Sequence, residues 1–202
     1  MKLYHNPASP FVRKVRVAAA ELGLSDRLTL EEVTVTPTAP GETLPSKNPL
    51  GKIPALEREG GATIYDSTVI CQYLNDLASG ALYPAPPRLW ETLTLDATAN
   101  GIMDAAVLMV YEGRVRPEEF RYTAWVESQW SKISRALDAL EARWLSHLAG
   151  PLDIAQISTA CALGYLDFRH GARDWRAARP GLANWYESFA ARPSMDATTP
   201  PA

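Results

Sequence analysis

The chain has 202 residues, 47% of them hydrophobic, which is enough for one or two small domains with buried cores. Its formal net charge of −3 argues against nucleic acid as a main partner, because phosphate binding needs a basic surface. The first residues lack the apolar run of a secretory signal and no membrane-spanning run is apparent, so we expect a cytoplasmic protein that does not act at a membrane. Two cysteines, Cys71 and Cys161, cannot build a disulfide framework and are expected to be buried.

A strand, a turn and a helix are predicted at the start of the chain. Residues 2–5 form a short strand and residues 6–8 a turn. Ser9 then occupies the N-cap position of a helix, and Pro10 its first turn. Apolar residues recur at helical spacing as far as Leu22, which leaves a polar side made of Arg13, Lys14, Arg16 and Glu21.

The segment from Asn48 to Leu56 predicts a sheet edge on which a peptide can dock. Pro54 opens an apolar run and has no N–H for a strand ladder, so the preceding Ile53 is left to pair outward with an extended peptide. Further along the chain, Asp66 and Ser67 stand between a short predicted strand, residues 63–65, and a helix. Their side-chain oxygens and the first N–H groups of that helix form a second anchor.

A proline-rich break divides the chain. We predict an α/β domain over residues 1–78, a linker over 79–87 and an all-helical domain over 88–202, with the last residues from Thr198 frayed. Residues 123–148 have the apolar stripe of one long amphipathic helix, and residues 154–166 contain no charge, which predicts a helix buried on all sides.

Three segments together resemble a known family. Residues 9–16, residues 48–54 and the pair Asp66-Ser67 are similar to the thioredoxin-like domain of cytosolic glutathione S-transferases, and bacterial serine-type members are the most similar. The order of the helices after the break extends the resemblance over nearly the whole chain. The central helix of the family normally begins with a capping box, a Ser or Thr three residues before an Asp; here Asp153 is present and Gly150 holds the cap position. It implies a thioredoxin-like α/β N-terminal domain followed by an all-α helical bundle.

The resemblance also implies a site and a reaction. Ser9 is expected to stabilise the thiolate of glutathione, the co-substrate, without a metal, so that the sulfur attacks a hydrophobic electrophile. The residues expected to bind glutathione are Lys52, Ile53, Pro54, Asp66 and Ser67. Candidate walls for the electrophile are Phe11, Met103, Tyr111 and Tyr165. Members of the family generally form homodimers and act in detoxification.

Two other classes of function stay open on the sequence. A glutathione-dependent reductase or dehalogenase on the same scaffold is one, although reductases of this type usually have a cysteine where this chain has Ser9. A noncatalytic relative that binds a regulatory partner is the other. A serine hydrolase is disfavoured because no Gly-x-Ser-x-Gly motif occurs, and the three histidines show no metal-ligand spacing.

Overall fold

A computed structural model describes residues 1–201, which form two compact units. The first comprises Met1–Tyr83 together with the segment that begins at Pro193, and the second is Pro84–Arg192. The break between the units falls inside the predicted linker, residues 79–87. The C-terminal segment differs from the prediction, because it belongs to the first unit and not to the helical one.

The first unit is built around a three-stranded mixed sheet. Its elements, in chain order, are β1 (Lys2–His5), α1 (Pro10–Glu21), β2 (Thr29–Glu32), α2 (Leu44–Lys47), β3 (Ala55–Glu57) and α3 (Ser67–Leu77). The strand order is β2-β1-β3, with β1 parallel to β2 and antiparallel to β3. Helices α1 and α3 pack together, so the predicted thioredoxin-like α/β fold is confirmed. Residues 63–65 do not form the predicted strand, since only Ile64 bridges to Leu56.

The second unit is helical, as predicted. It contains α4 (Arg88–Arg114), α5 (Thr123–Ala139), α6 (Leu145–Leu148), α7 (Ile154–His170) and α8 (Pro180–Ala190). The single helix expected over residues 123–148 is interrupted by a π-helical turn, Leu140–Trp144, between α5 and α6. Every residue from Ile154 to Leu166 is buried, which confirms the helix predicted to be covered on all sides.

The N-cap residue of α7 differs from the one that the sequence predicts. Asp153, and not Gly150, is the N-cap. Its carboxylate accepts from the N–H groups of Ala155 (3.0 Å) and Gln156 (3.4 Å), and the Gln156 side chain accepts from the Asp153 N–H at 2.8 Å. This reciprocal capping box satisfies the buried helix end within its own first turn. Asp153 also accepts from the Thr92 hydroxyl at 2.9 Å, which fixes α7 against α4.

Helix α4 is long and apolar, although no membrane-spanning run is apparent in the sequence. Its most apolar 18-residue window has a mean hydropathy of 1.3, so by length and composition this helix qualifies as a membrane span. The core helix of a soluble protein meets the same criterion. In the structure α4 packs against α5 and α7, and 44% of that window is buried inside the protein.

The C-terminal segment covers the side of α1 that was predicted to be polar. It contains a short helix, α9 (Pro193–Asp196), which packs on α1. Arg13 is buried and its Nη2 donates to the Met195 carbonyl at 3.0 Å, while Lys14 is completely buried. The cationic side of α1 therefore faces protein, because a segment distant in sequence supplies acceptors for it.

The final residues are more ordered than predicted. Thr198 is buried, and its hydroxyl donates to the Ser194 carbonyl at 2.8 Å. Arg16 donates from Nη2 to the Ala197 carbonyl at 3.2 Å. The expected fraying from Thr198 onward is therefore wrong at its first residue.

Candidate functional site

Strand pairing brings the three motif segments to one end of the sheet. Tyr4 of β1 pairs with Ala55 of β3, so the residues just before Ala55 lie beside the C-terminal end of β1. Leu56 and Ile64 exchange two backbone hydrogen bonds of 2.9 Å. Because that bridge is antiparallel, the chain leaves it toward the same end and begins α3 three residues later. The turn that starts α1 follows β1 directly, so all three segments meet at this edge.

Ser9 presents its hydroxyl at the start of α1. It is the N-cap residue, with extended dihedral angles (φ −81°, ψ 124°), and its Oγ accepts from the Val12 N–H at 3.3 Å. A hydroxyl has one hydrogen to donate and two lone pairs, and Val12 occupies one lone pair. Among residues 1–201 no acceptor takes the hydroxyl hydrogen of Ser9. The predicted cap is confirmed, and its geometry leaves the O–H able to donate to a ligand.

The turn before Ser9 is held by Asn6, for which the sequence analysis proposed no role. The Asn6 side-chain oxygen accepts from the Ala8 N–H at 3.0 Å, and its amide donates to the Val33 carbonyl at 3.4 Å. The Asn6 carbonyl accepts from the Ser9 N–H, also at 3.0 Å. Asn6 thus fixes where Ser9 lies relative to the sheet, and the only signal for this in the sequence is an Asn-Pro pair typical of turns.

A second asparagine shapes the loop that precedes β3. Asn48 is 2% exposed; its Nδ2 donates to the Lys52 carbonyl at 2.8 Å and its Oδ1 accepts from the Leu50 N–H at 3.0 Å. Gly51 lies between them with φ +61°, and a Cβ there would meet the Pro40 Cβ at 2.7 Å. The loop is therefore fixed from within, and only glycine fits at position 51. The side chain of Lys52 itself is exposed.

Ile53 and Pro54 lie between this loop and β3, joined by a cis peptide bond. Pro54 is buried, and Ile53 packs against a small core of Tyr4, Leu44 and Ala55. The Ile53 side chain is therefore anchored in the protein. The backbone of Ile53 lies at the end of the sheet, beside the C-terminal end of β1.

Helix α3 starts at this edge with a carboxylate cap. Asp66 is the exposed N-cap residue and its Oδ1 accepts from the Thr68 N–H at 2.9 Å; the peptide bond before it, from Tyr65, is also cis. Ser67, the first helical residue, is 2% exposed. The N–H groups in the first turn of a helix have no intrahelical acceptor, so this end offers both a carboxylate and backbone donors. Such a pair suits a ligand with an ammonium and a carboxylate on one carbon.

The imidazole of His5, at the end of β1, is uncharged at neutral pH. The residue is 7% exposed, and the buried Nδ1 has no hydrogen-bond partner within residues 1–201. Burial lowers the pKa of His5, and the positive charge of Arg16 lowers it further, against a smaller opposing effect of Glu32. His5 therefore adds no positive charge to the site, which leaves the Ser9 hydroxyl and the end of α1 to stabilise an anion.

The candidate electrophile residues are divided between the two units. Phe11 lies half-buried in the first turn of α1. Met103 and Tyr111 lie on α4 and Tyr165 on α7; Met103 is fully buried, Tyr165 is 6% exposed and Tyr111 is half-buried. Complete burial favours a core role for Met103.

The described residues that could bind a metal ion are scattered, and both cysteines are buried. Within residues 1–201 no three His, Cys, Asp or Glu side chains are grouped so as to hold a metal ion. Cys71 and Cys161 are both completely buried, on α3 and α7. Neither thiol is therefore accessible at the edge where Ser9 lies.

Comparison with known proteins places this geometry in a family. Residues 3–82 match the model for the N-terminal domain of glutathione S-transferases, and residues 123–188 match the model for the C-terminal domain. A glutathione transferase family member from Pseudomonas fluorescens Pf-5, solved with bound glutathione, is 48% identical with a TM-score of 0.97 over 100% of this chain and 99% of its own.

A second solved structure and a named relative agree over the full length. A structure of a family member from the same species, with bound S-(propanoic acid)-glutathione, is 46% identical with a TM-score of 0.92, and each chain covers 100% of the other. The protein named "Uncharacterized GST-like protein YibF" of Escherichia coli (strain K12) is 34% identical over 100% of this chain and 99% of its own length. Two matching domain models, full-length relatives and the shared fold together show that this chain belongs to the glutathione S-transferase family.

Proposed function

We propose that this protein is a serine-type glutathione transferase, in which the Ser9 hydroxyl donates to the sulfur of bound glutathione and keeps it as a thiolate. The observation that carries the proposal is the position of Ser9. Its Oγ caps α1 through the Val12 N–H, its hydrogen is left to donate, and it lies at the sheet edge shared with Ile53 and the start of α3.

The energy required is within reach of these groups. A free thiol has a pKa of about 8.5, and lowering it by two units requires about 2.7 kcal/mol of preferential stabilisation of the thiolate. A charge-assisted hydrogen bond supplies about 1.5–3 kcal/mol and the positive end of a helix about 0.3–1 kcal/mol. One hydroxyl at the start of α1 is therefore sufficient without a metal.

The remaining residues hold the tripeptide. The backbone N–H and C=O of Ile53 pair with the extended peptide, as an added strand does. Asp66 accepts from the α-ammonium group of the γ-glutamyl residue, while the N–H groups of the first turn of α3, at Ser67, donate to its carboxylate. Lys52 lies beside Ile53 and offers a positive charge to the other carboxylate of glutathione. The bound glutathione of the Pseudomonas relative supports this assignment of the ligand.

The reaction follows from the thiolate. Its sulfur attacks an electrophilic carbon, a C–S bond forms, and with a chloronitrobenzene the chloride leaves with its electron pair. The conjugate bound to the second Pseudomonas structure, S-(propanoic acid)-glutathione, carries such a C–S bond. We propose further that the enzyme works as a cytoplasmic homodimer in detoxification, as members of the family generally do.

The test is a comparison of Ser9→Ala with Ser9→Thr, which retains a hydroxyl at the cap. We expect Ser9→Ala to lower kcat/KM for glutathione and 1-chloro-2,4-dinitrobenzene by about 10–100-fold, and to raise the pKa read from the pH–rate profile by about 1–2 units. Ser9→Thr should retain most of the activity. The affinity for glutathione, measured by calorimetry, should change much less than turnover, because the peptide contacts remain.

Full activity and an unchanged pH profile in Ser9→Ala would remove Ser9 from the mechanism. The alternatives make different predictions. A noncatalytic binding protein would give no turnover in any variant and would not be retained on glutathione-agarose. A glutathione-dependent reductase or dehalogenase would turn over disulfide or halogenated substrates, and the absence of an accessible thiol beside Ser9 disfavours the reductase.

A further inference from the structure

Residues 193–199 pack on α1 and are hydrogen-bonded near both ends of that helix; we call this segment the C-terminal strap. At the end of α1, the Ser194 hydroxyl donates to a carboxylate oxygen of Glu21, the last residue of the helix. In the first turn of α1, Arg13 Nη2 donates to the Met195 carbonyl at 3.0 Å. The strap is therefore joined to the turn that begins at the proposed glutathione site.

The strap has a fixed shape of its own. The Thr198 hydroxyl donates to the Ser194 carbonyl at 2.8 Å, and the Ala197 N–H donates to the Pro193 carbonyl at 3.0 Å. Ser194 is 7% exposed, Met195 1% and Thr198 5%. Because these residues are buried and bonded to one another, the strap is a firm support for α1 rather than a loose tail.

Arg13 connects this support to the start of α1. Its side chain is 7% exposed although a guanidinium is always charged, and its Nε has no hydrogen-bond partner within residues 1–201. A buried charge is costly unless acceptors replace the water it has lost. Losing the Met195 carbonyl would remove such an acceptor, so we expect the Arg13 side chain to stay bonded to the strap.

The backbone of the same residue is bonded to Ser9. The Arg13 N–H donates to the Ser9 carbonyl at 3.0 Å, and the N–H of the preceding Val12 donates to Ser9 Oγ at 3.3 Å. One turn of helix thus links the Ser9 hydroxyl to the Met195 carbonyl, with a hydrogen bond or a covalent bond at each step. The place of the hydroxyl depends on this turn, because an N-cap side chain is bonded to the backbone that follows it.

A purely structural role for the strap accounts for only part of these contacts. The bond from Ser194 to Glu21 and the bond from Arg16 Nη2 to the Ala197 carbonyl, at 3.2 Å, already fasten the strap to the later turns of α1. Stability alone does not call for a buried cation in the first turn, since a well-packed apolar residue usually serves it as well or better. The Arg13 contact differs in being made by the turn that carries Ser9.

We propose that the C-terminal strap, acting through Arg13, positions the Ser9 hydroxyl for its hydrogen bond to the sulfur of glutathione. This inference rests on the proposed transferase function, and it makes Arg13 a positioning residue that acts through the first turn of α1. The expected effect is large for a small movement, because a misplacement of about 1 Å can lower a rate by about 100-fold.

The coupling can be measured without turnover. Amide hydrogen exchange of the full chain, followed by NMR, reports on the backbone N–H groups of Val12 and of position 13. We expect Arg13→Gln to speed both by at least about tenfold more than the amides of α3, which packs on α1. Arg27→Gln, an exposed arginine of the same unit, is the matched control and should change neither. Wild-type exchange in this turn of Arg13→Gln, or an equal acceleration in α3, overturns the proposal.

Kinetics with glutathione and 1-chloro-2,4-dinitrobenzene connect the coupling to the reaction. We expect Arg13→Gln to lower kcat/KM for the electrophile by about tenfold at saturating glutathione, and to raise the pKa read from the pH–rate profile by at least about half a unit. The KM for glutathione should stay within about threefold. A lower Tm with an unchanged pH profile would mean a structural role only and overturns the proposal. If wild type has no turnover but the exchange rates differ as expected, the transferase function fails and the coupling of the strap to Ser9 stands.

Ser194→Ala is the second variant and excludes a direct effect of charge. It removes the bond to Glu21 at the far end of α1 and keeps the Arg13 guanidinium, so a change in Ser9 must pass through the strap. We expect exchange at Val12 to speed up, and kcat/KM to fall, by about threefold each. If Arg13→Gln does not fold, this variant decides: wild-type exchange and kinetics in Ser194→Ala overturn the proposal.

Discussion

Asn48 offers the sharpest test of how the loop before β3, residues 48–52, is held in place. Asn48→Ala removes two hydrogen bonds, the donor to the Lys52 carbonyl (2.8 Å) and the acceptor of the Leu50 N–H (3.0 Å). Each contributes about 1 kcal/mol to stability. Leu50 and Lys52 are exposed, so water can replace the lost partner and the penalty for an unsatisfied buried group does not apply in full. We therefore expect a loss of about 2 kcal/mol in the free energy of unfolding, or a fall in Tm of about 4–8 °C.

The functional effect should appear in the binding of glutathione. Because Asn48 holds the loop that presents Lys52 and Ile53, we expect the KM for glutathione to rise by about tenfold, while kcat at saturating glutathione changes by less than about threefold. Thermal unfolding and steady-state kinetics on the same preparations measure both quantities. Asn184→Ala, an exposed asparagine on α8, is the matched control and should stay within about 0.5 kcal/mol of wild type. An Asn48→Ala protein with wild-type KM and Tm would refute this account of the loop.

Two further substitutions test the contacts outside the site. Asp153→Ala removes the cap of α7 and the acceptor of the Thr92 hydroxyl, so the free energy of unfolding by denaturant should fall by about 3–5 kcal/mol, and a loss below about 1 kcal/mol would contradict this role. Glu57→Gln tests the ion pair with Lys47, which holds the pKa of Glu57 below its ordinary value. The stability that comes from a depressed pKa is present above the unfolded-state pKa and is lost as the pH falls through the folded-state pKa. The free energy of unfolding of wild type should therefore exceed that of the variant at pH 7, and the difference should disappear once the pH is below the folded-state pKa of Glu57. A difference that grows on acidification would show the opposite linkage.

The residues that start helices could be recognised from sequence alone. Ser9 followed by Pro10, and Asp66 followed by an apolar periodic stretch, indicated N-caps, and the structure has caps at both positions. Capping depends on a side chain and the backbone two or three residues further on, so all of its determinants are adjacent in the chain. The same holds for β1, where the predicted bounds agree with the structure, and for the uncharged run that became the buried part of α7.

The positions of the two asparagines show what such patterns miss. Asn6 and Asn48 both precede prolines and indicate turns, but nothing nearby in sequence shows that Asn6 bonds to Val33 or that Asn48 is almost completely buried. The family's capping-box spacing predicts a cap at Gly150, whereas Asp153 is the N-cap, and its capping box with Gln156 is visible only in the geometry of the turn.

The sequence by itself determined where the chain turns, where helices begin and which residue types stand at the edge proposed for glutathione, because hydrogen bonds within four residues decide those features. Only the tertiary structure decided that Arg13 is buried, because a segment about 180 residues away provides the Met195 carbonyl, and that Lys14 is completely buried. Burial and the balance of charge depend on contacts between distant parts of the chain, and a local pattern of residues does not contain them.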